Sequence, residues 1–329
     1  MNQKKVKIIL TIFIIILFSV VIFCNLWLLY TKDIFYKTGD WNKYKNNPVL
    51  GDEYTGSVFD PYVMIDSDGT YRMYVSWRRK GAIAITTSKD GINWSELQIV
   101  LNKDETTGWE DIVNRATVVY HDGVYHMWYT GQSNKISKIG YATSEDGYKF
   151  VKQNEPVIVN EKEWEKDSVM NPHVIFDEEE KVFKMWYAAG ETYEPDVIAY
   201  ATSKDGINWE KYSQNPILKA NEDKKAMDRY KVGGCDVHKI SNNLYIMFYI
   251  GYTDINTARI FVAKSQDGVN WERTGQPIIV PEHGKFDKEA CYKPSAIFDD
   301  KNNRWMLWYN GRTAEKEYIG LAMCNKKEI

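Results

Sequence analysis

The sequence predicts an all-β fold, a five-bladed β-propeller preceded by an N-terminal transmembrane helix. Three observations carry the prediction. First, the string TSKDGINW at 87–94 recurs letter for letter at 202–209, with looser copies TSEDGYKF at 143–150 and KSQDGVNW at 264–271. Their aspartates, Asp90, Asp146, Asp205 and Asp267, stand 56, 59 and 62 residues apart, a spacing that marks a repeat architecture. Second, five aromatic runs (YRMYVSW, YHMWYTG, FKMWYAAG, LYIMFYIGY, RWMLWYNG) each follow a short β-branched run. Third, WNKYKNNPVLGDE at 41–53 repeats the WEKYSQNPILKAN of 209–221 at the wrong end of the chain.

Taken in chain order, residues 1–7 form a cytoplasmic N-terminus and residues 8–30 a signal anchor. The stretch IILTIFIIILFSVVIFCNLWLLY carries no charge. As a helix it reaches about 34 Å, enough to cross the hydrocarbon core. Lys4, Lys5 and Lys7 precede it, which holds that end in the cytoplasm and places the rest on the extracytoplasmic side of the cell membrane. No small-x-small cleavage site follows, and Phe23 before Cys24 argues against a lipoprotein site. Residues 31–39 form a tether, and 40–329 form the propeller domain.

Each repeat reads as four strands: a β-branched inner strand, the aromatic strand, a strand ending at the Asp-Gly turn, and a short outer strand. The runs are short, rich in Val, Ile, Tyr, Phe and Trp, and bounded by Asp, Gly and Asn. The chain stops one strand short after YIGLAMCNKKEI, and 41–50 supplies the missing strand. Radial closure of this kind removes exposed sheet edges. The octapeptide is therefore scaffold. Its Gly supplies a positive φ, its Ser and Asp bond the local backbone, and its Trp packs between blades. It resembles the Asp box of sialidases, with one residue fewer between Asp and Gly.

Composition narrows the function. Net charge is −3, which gives a nucleic-acid partner no electrostatic support. Four cysteines are too few for a disulfide framework, and no Cys/His spacing suggests a metal. Cys235 and Cys291 head inner strands of neighbouring blades, where a bond is conceivable and buried thiols are expected. No cofactor is implied, and the oligomeric state is left open.

In a propeller the inner strands line a central funnel. Aligned on their first residue they present Asp60, Arg115, Asn171, Asp236 and Lys293, in steps of 55, 56, 65 and 57. Two residues on, along the same face, stand Tyr62, Thr117, His173, His238 and Ser295. Four residues before the ring lie Asp111, Asp167 and Glu289. Mutual neutralisation, as between Asp60 and Arg115, is one reading of such a ring. A convergent polar pocket for a ligand is the other.

The W…PV(I/L) strand, the MWY(T/A)G strand, the ATSxDGxxW turn and Asp60-Pro61 resemble the five-bladed propeller glycosidases, glycoside hydrolase families 43 and 32 and the mannoside phosphorylases and hydrolases of family 130. The resemblance covers nearly all of 40–329. It implies a carbohydrate substrate. Family 43 uses a base Asp in blade one, a tuning Asp in blade two and an acid Glu in blade three. Asp60 matches the first, whereas Arg115 and Asn171 stand where the other two are required.

Hydrolysis needs two carboxyl groups, one to protonate the leaving oxygen and one to activate water. Asp60 with Asp236 or Glu289 is the expected catalytic set. Substrate contacts are expected from Arg115, Asn171, His173, His238, Lys293, Tyr62, Asp111 and Asp167. Family 130 suggests a second logic, with an anion cradled by Arg115, Lys293 and His238. Missing family 43 carboxylates suggest a third, a glycan-binding propeller without turnover. Trp77, Tyr230 and Tyr292, with Tyr62, are its candidate stacking residues, and Arg78, Arg79 and Lys80 read as a solvated hairpin.

Overall fold

The computed structural model describes residues 39–314, 316–326 and 329, together with Ser19. The chain divides into Met1–Lys37 and Thr38–Ile329. Among the described residues no helix is long and apolar enough to cross a membrane. The expected segments 1–7 and 8–30, and the tether up to residue 38, lie outside the described residues.

Strand β1 (Trp41–Lys43) comes first. Blade one then contains β2 (Val58–Ile65), β3 (Tyr71–Trp77), β4 (Ala82–Ser88) and β5 (Gln98–Leu101). Blade two contains β6 (Ile112–His121), β7 (Val124–Ser133), β8 (Ile136–Ser144) and β9 (Val151–Lys152). Blade three contains β10 (Ser168–Asp177), β11 (Val182–Gly190), β12 (Pro195–Ser203) and β13 (Glu210–Lys211). Blade four contains β14 (Lys231–Ser241), β15 (Leu244–Asp254), β16 (Thr257–Ser265) and β17 (Glu272–Arg273). Blade five contains β18 (Ala290–Asp299), β19 (Arg304–Thr313) and β20 (Lys316–Cys324), and β1 is its fourth strand. Trp41 lies opposite Cys324 and Lys43 opposite Ala322, and the pairing continues as Val49 N–H donates to the Ile319 carbonyl at 2.8 Å.

Two devices repeat from blade to blade. The first is the octapeptide turn. Ser88 Oγ donates to Asp90 Oδ1 and accepts the Gly91 N–H, both at 2.9 Å. Asp90 Oδ1 accepts the N–H groups of Ile92 and Asn93 at 2.8 Å. Partial burial opposes the charge, but these donors, Asn93 foremost, pull the Asp90 carboxyl down to about 2. The turn also docks on the preceding blade. Trp128 Nε1 donates to the Gly206 carbonyl at 2.8 Å, Trp186 to Gly268 at 2.7 Å and Trp308 to Gly91 at 2.9 Å, while the Tyr74 hydroxyl donates to Gly147 at 3.0 Å. Gly206 has φ 76°, and a Cβ there would meet the Trp128 ring at 2.8 Å. The turn is an inter-blade clamp.

The second device is a buried acid just before the inner strand, held by a tyrosine from the second strand and a cation from the fourth. Glu110 takes Tyr129 at 2.9 Å and Lys152 at 2.9 Å; Glu165 takes Tyr187 at 3.0 Å and Lys211 at 2.8 Å. Asp228 takes Tyr249 at 2.9 Å and Arg273 at 2.7 Å; Asp287 takes Tyr309 at 2.9 Å and Lys43 at 2.5 Å. A buried carboxylate stays ionised only when so paired. Lys43 comes from β1, so the closing strand also neutralises blade five. Cys235 and Cys291 are separate, buried free thiols.

Candidate functional site

Each inner strand breaks register with its neighbour at a bulge near its head: between Phe59 and Tyr62, Asn114 and Thr117, Met170 and His173, Gly233 and Cys235, and Tyr292 and Ser295. At four of the five bulges a non-glycine residue takes the left-handed conformation. These are Asp60 (φ 53°), Arg115 (φ 55°), Asn171 (φ 52°) and Lys293 (φ 48°). Each such residue costs on the order of 1–3 kcal/mol and persists only where its surroundings enforce it. Here the preceding blade does so. The Asp60 N–H donates to Asn310 Oδ1 at 2.8 Å, Arg115 N–H to Ser76 Oγ at 2.9 Å and Asn171 N–H to Thr130 Oγ1 at 3.1 Å.

The fifth member of this bulge ring is Gly234, not Asp236. Asp236 pairs with Phe248 as Tyr62 pairs with Tyr74, Thr117 with Trp128, His173 with Trp186 and Ser295 with Trp308. It therefore belongs one layer on, in place of the expected His238. That second layer is a ring of staples. Tyr62 hydroxyl donates to the Val118 carbonyl at 2.7 Å, and the Val174 N–H donates to Thr117 Oγ1 at 3.4 Å. His173 Nε2 meets the Val237 carbonyl at 2.9 Å, Ala296 N–H donates to Asp236 Oδ2 at 2.7 Å, and Val63 N–H donates to Ser295 Oγ at 2.9 Å. Every link joins one blade to the next, and the last returns to the first.

A cavity of about 360 Å³ opens over the bulge ring, within the usual size range of small-molecule sites. Of the residues expected from sequence, Asp60, Arg115, Asn171, Trp77 and Tyr292 line it. The remainder lie elsewhere. Asp236, expected to be catalytic, is buried between His238 Nε2 at 2.8 Å and His173 Nδ1 at 3.2 Å. Glu289, also expected to be catalytic, accepts the Ala314 N–H at 2.9 Å outside the lining. Tyr62 and His173 are spent as staples, and His238 serves Asp236. Asp111 accepts the Ser133 hydroxyl at 2.6 Å, Asp167 is exposed, and Lys293 is buried beside the cavity without lining it. Tyr230 is 47% exposed and away from the lining.

Sequence reasoning missed four charged lining residues, Arg78, Glu194, Arg312 and Glu317. Arg78 opens a 3₁₀ turn, Arg78–Lys80, and leaves the expected solvated hairpin to bond Glu317. Glu194 precedes β12, Arg312 is the last residue but one of β19 and Glu317 lies in β20. An available signal was strand direction. Inner strands run away from the cavity and second strands return, so the second-to-third hairpins of blades one, three, four and five reach its mouth.

The electrostatics separate the carboxyls. Asp60 Oδ2 lies 3.6 Å from Arg115 Nε and 3.3 Å from Ser76 Oγ. Burial, then the charge of Asp60, pushes the Glu317 carboxyl up to about 8. Arg78 beside it has a side chain 56% exposed, so water screens its opposing charge, whereas the Glu317 side chain is 9% exposed. Tyr292 hydroxyl also bonds Glu317. Burial likewise raises Glu194. One cavity thus holds two carboxyl groups, Glu317 pushed up to about 8 and Asp60 facing Arg115, the pair that acid–base cleavage of a glycosidic bond requires.

Comparison with known proteins agrees with this architecture. Residues 27–116 and 84–230 match the glycosyl hydrolases family 32 N-terminal domain. A 1,2-beta-oligomannan phosphorylase of Thermoanaerobacter sp. (strain X514) is 26% identical over 197 residues, 57% of this chain and 60% of that protein. The chain thus spans less than two thirds of that relative's length. Among solved structures, a thermostable family-43 glycoside hydrolase superposes with a TM-score of 0.67 at 17% identity, covering 84% of this chain and 91% of the other. A family 130 structure, described under mannoside phosphorylases that include hydrolases of β-1,2-mannosidic linkages in Candida mannan, superposes with 0.66 at 16% identity, covering 87% and 94%. These structural likenesses establish the shared fold.

Proposed function

The chain belongs to the family of the glycosyl hydrolases family 32 N-terminal domain, and from that premise we propose that it cleaves a glycosidic bond in an extracytoplasmic or cell-surface glycan. Glu317 is the general acid and Asp60 the carboxylate opposite it. The observation that carries this reading is the buried Glu317, its carboxyl pushed up to about 8, in the same cavity that Asp60 lines. Glu317 donates its proton to the leaving oxygen. Asp60, with Arg115 3.6 Å away, takes the proton of the attacking water. Tyr292, half-buried in the cavity lining, bonds Glu317.

Three guanidinium groups, those of Arg78, Arg115 and Arg312, line the same cavity. They support a second reading, in which inorganic phosphate replaces water as the nucleophile. The test is release of reducing sugar from a panel of aryl glycosides and bacterial surface glycans, with and without phosphate. Turnover lost in Asp60→Asn and in Glu317→Gln supports the assignment, and dependence on phosphate selects the second reading. Glycan binding without turnover, unchanged by Asp60→Asn, leaves a binding module instead.

The uncharged stretch 8–30 behind Lys4, Lys5 and Lys7 supports a single-pass anchor with the propeller outside. Protease added to intact cells is expected to digest the propeller. Protection until the membrane is permeabilised reverses the orientation.

A further inference from the structure

The rim of the cavity differs in chemistry from its charged interior. Six lining residues are exposed: Arg78, Ile112, Tyr193, Ile255, Asn256 and Ala314. Blades two to five each supply an apolar or aromatic one, with Tyr193 69%, Ile112 46% and Ile255 45% exposed. Single exposed apolar side chains are ordinary, but several converging on one cavity mouth mark a binding surface. The two remaining members are partly committed. Arg78 bonds Glu317, and the Asn256 carbonyl accepts Arg312 Nη2 at 3.0 Å.

The backbone that presents these side chains is fixed. Around Tyr193, Lys231 Nζ reaches Glu191 Oε2 at 2.6 Å and donates to the Glu194 carbonyl at 3.0 Å, and the Thr192 and Ser168 hydroxyls meet at 3.0 Å. A Cβ on Gly233 would come within 2.7 Å of the Pro195 ring, so that hairpin lies tight against blade four. Tyr193 itself makes no hydrogen bond or ring contact among the described residues. In blade five the Ala314 N–H is held by Glu289 Oε1 at 2.9 Å. Groups ordered in advance cost little further entropy when a ligand covers them.

Asp60 and Glu317 are buried while the rim is exposed, so a sugar ring between the two carboxyls sits below the rim. Whatever its leaving oxygen carries passes outward across the rim, and Ala314 stands three residues before Glu317 on that path. A second sugar crossing there loses hydrogen bonds to water that isoleucine and alanine cannot replace, whereas an alkyl or aryl group gains by leaving water. We propose that the rim receives an apolar aglycone, so that the substrate is a glycoside whose leaving oxygen carries an alkyl or aryl group. This rests on the cleavage reading above, which puts Glu317 at the leaving oxygen.

The test is equilibrium binding to the full chain by titration calorimetry. The probes are the methyl, hexyl and phenyl glycosides of mannose, glucose and galactose, with a disaccharide of each sugar. For at least one sugar the hexyl or phenyl glycoside is expected to bind roughly 10- to 100-fold tighter than the methyl glycoside, the worth of about two to three buried methylenes. A hexyl preference assigns a lipid-like chain, and a phenyl preference an aromatic aglycone. The triple variant Ile112→Ser, Tyr193→Ser, Ile255→Ser should erase the preference. Tyr193→Ser alone, read if the triple variant fails to fold, should reduce it. Methyl, hexyl and phenyl glycosides that bind alike, or a preference that these variants leave unmoved, overturn the apolar rim while the glycan reading stands. Disaccharides that bind tightest and lose that advantage in Tyr193→Ser make the rim a sugar platform and also overturn it. If no glycoside or disaccharide binds at all, the glycan reading fails and the rim assignment falls with it.

Discussion

Two rings, two residues apart on the same five strands, have opposite character. The staple ring of Tyr62, Thr117, His173, Asp236 and Ser295 spends its polar atoms on the next blade and closes on itself. The bulge ring of Asp60, Arg115, Asn171, Gly234 and Lys293 holds four left-handed residues, a loosely paired guanidinium and an amide oxygen with no partner. Saturation separates scaffold from site. Residue type does not, since each ring contains an aspartate at 3% exposure.

The scaffold half breaks most severely at the closure. A chain beginning at residue 53 loses β1 and leaves Asp287 buried without Lys43. Stranding one partner of a buried pair costs about 3–5 kcal/mol before the lost strand is counted. Thermal melts of this chain and of one beginning at 38 should differ by more than 10 °C, on the order of 2–4 °C per kcal/mol. Equal melting temperatures contradict the closure.

The site half breaks in rate. A positioned acid or base contributes about 10²–10⁴-fold, so kcat/KM should fall by that factor in Asp60→Asn. In the parent the alkaline limb of kcat/KM should lie near pH 8, where Glu317 gives up its proton. Glu317→Gln, measured across pH 6 to 9.5, should lack that limb.

Stability against pH sets the staple ring and the cavity wall in opposition. Burial above all lowers His173 to about 4. Between that value and its ordinary 6.5 the unfolded chain binds a proton that the folded chain refuses, so acid favours unfolding. Asp236 acts in the same direction: burial opposes its charge, but His238 and His173 hold its carboxyl below the ordinary range. Glu317 has the reverse sign. From 4.5 to about 8 the folded chain keeps a proton that the unfolded chain releases, so alkali favours unfolding. Urea midpoints between pH 4 and 9 should fall on both sides. Glu317→Gln should flatten only the alkaline side, and an unchanged alkaline slope refutes its raised value.

The repeat explains what was legible. The period, the clamp turn and the displaced β1 are written several times over, so a single sequence reveals them. The blade-four ring was misaligned because Asp236-Val237-His238 imitates Asn171-Pro172-His173. Counting to the next aromatic strand separates them. The bulge residue precedes its strand's central aromatic by 13–15 residues in every blade, Gly234 included, whereas Asp236 precedes Phe248 by 12. Glu194 and Glu317 were invisible for another reason. Glu194 reaches the cavity from a hairpin of blade three and Glu317 from β20 of blade five, and that meeting depends on closure around the axis, which no local spacing encodes.

The most direct test of the two-ring account is the unfolding free energy of Asp60→Asn set against Asp236→Asn, both read from urea titrations at pH 7. Asp236 anchors the Ala296 N–H and two histidines in the closed ring, so its amide variant should lose about 2–4 kcal/mol. Asp60 sits over a cavity and strains its own backbone, so its variant should stay within about 1 kcal/mol of the parent. Equal losses, or a larger loss at Asp60, contradict the division between scaffold and site.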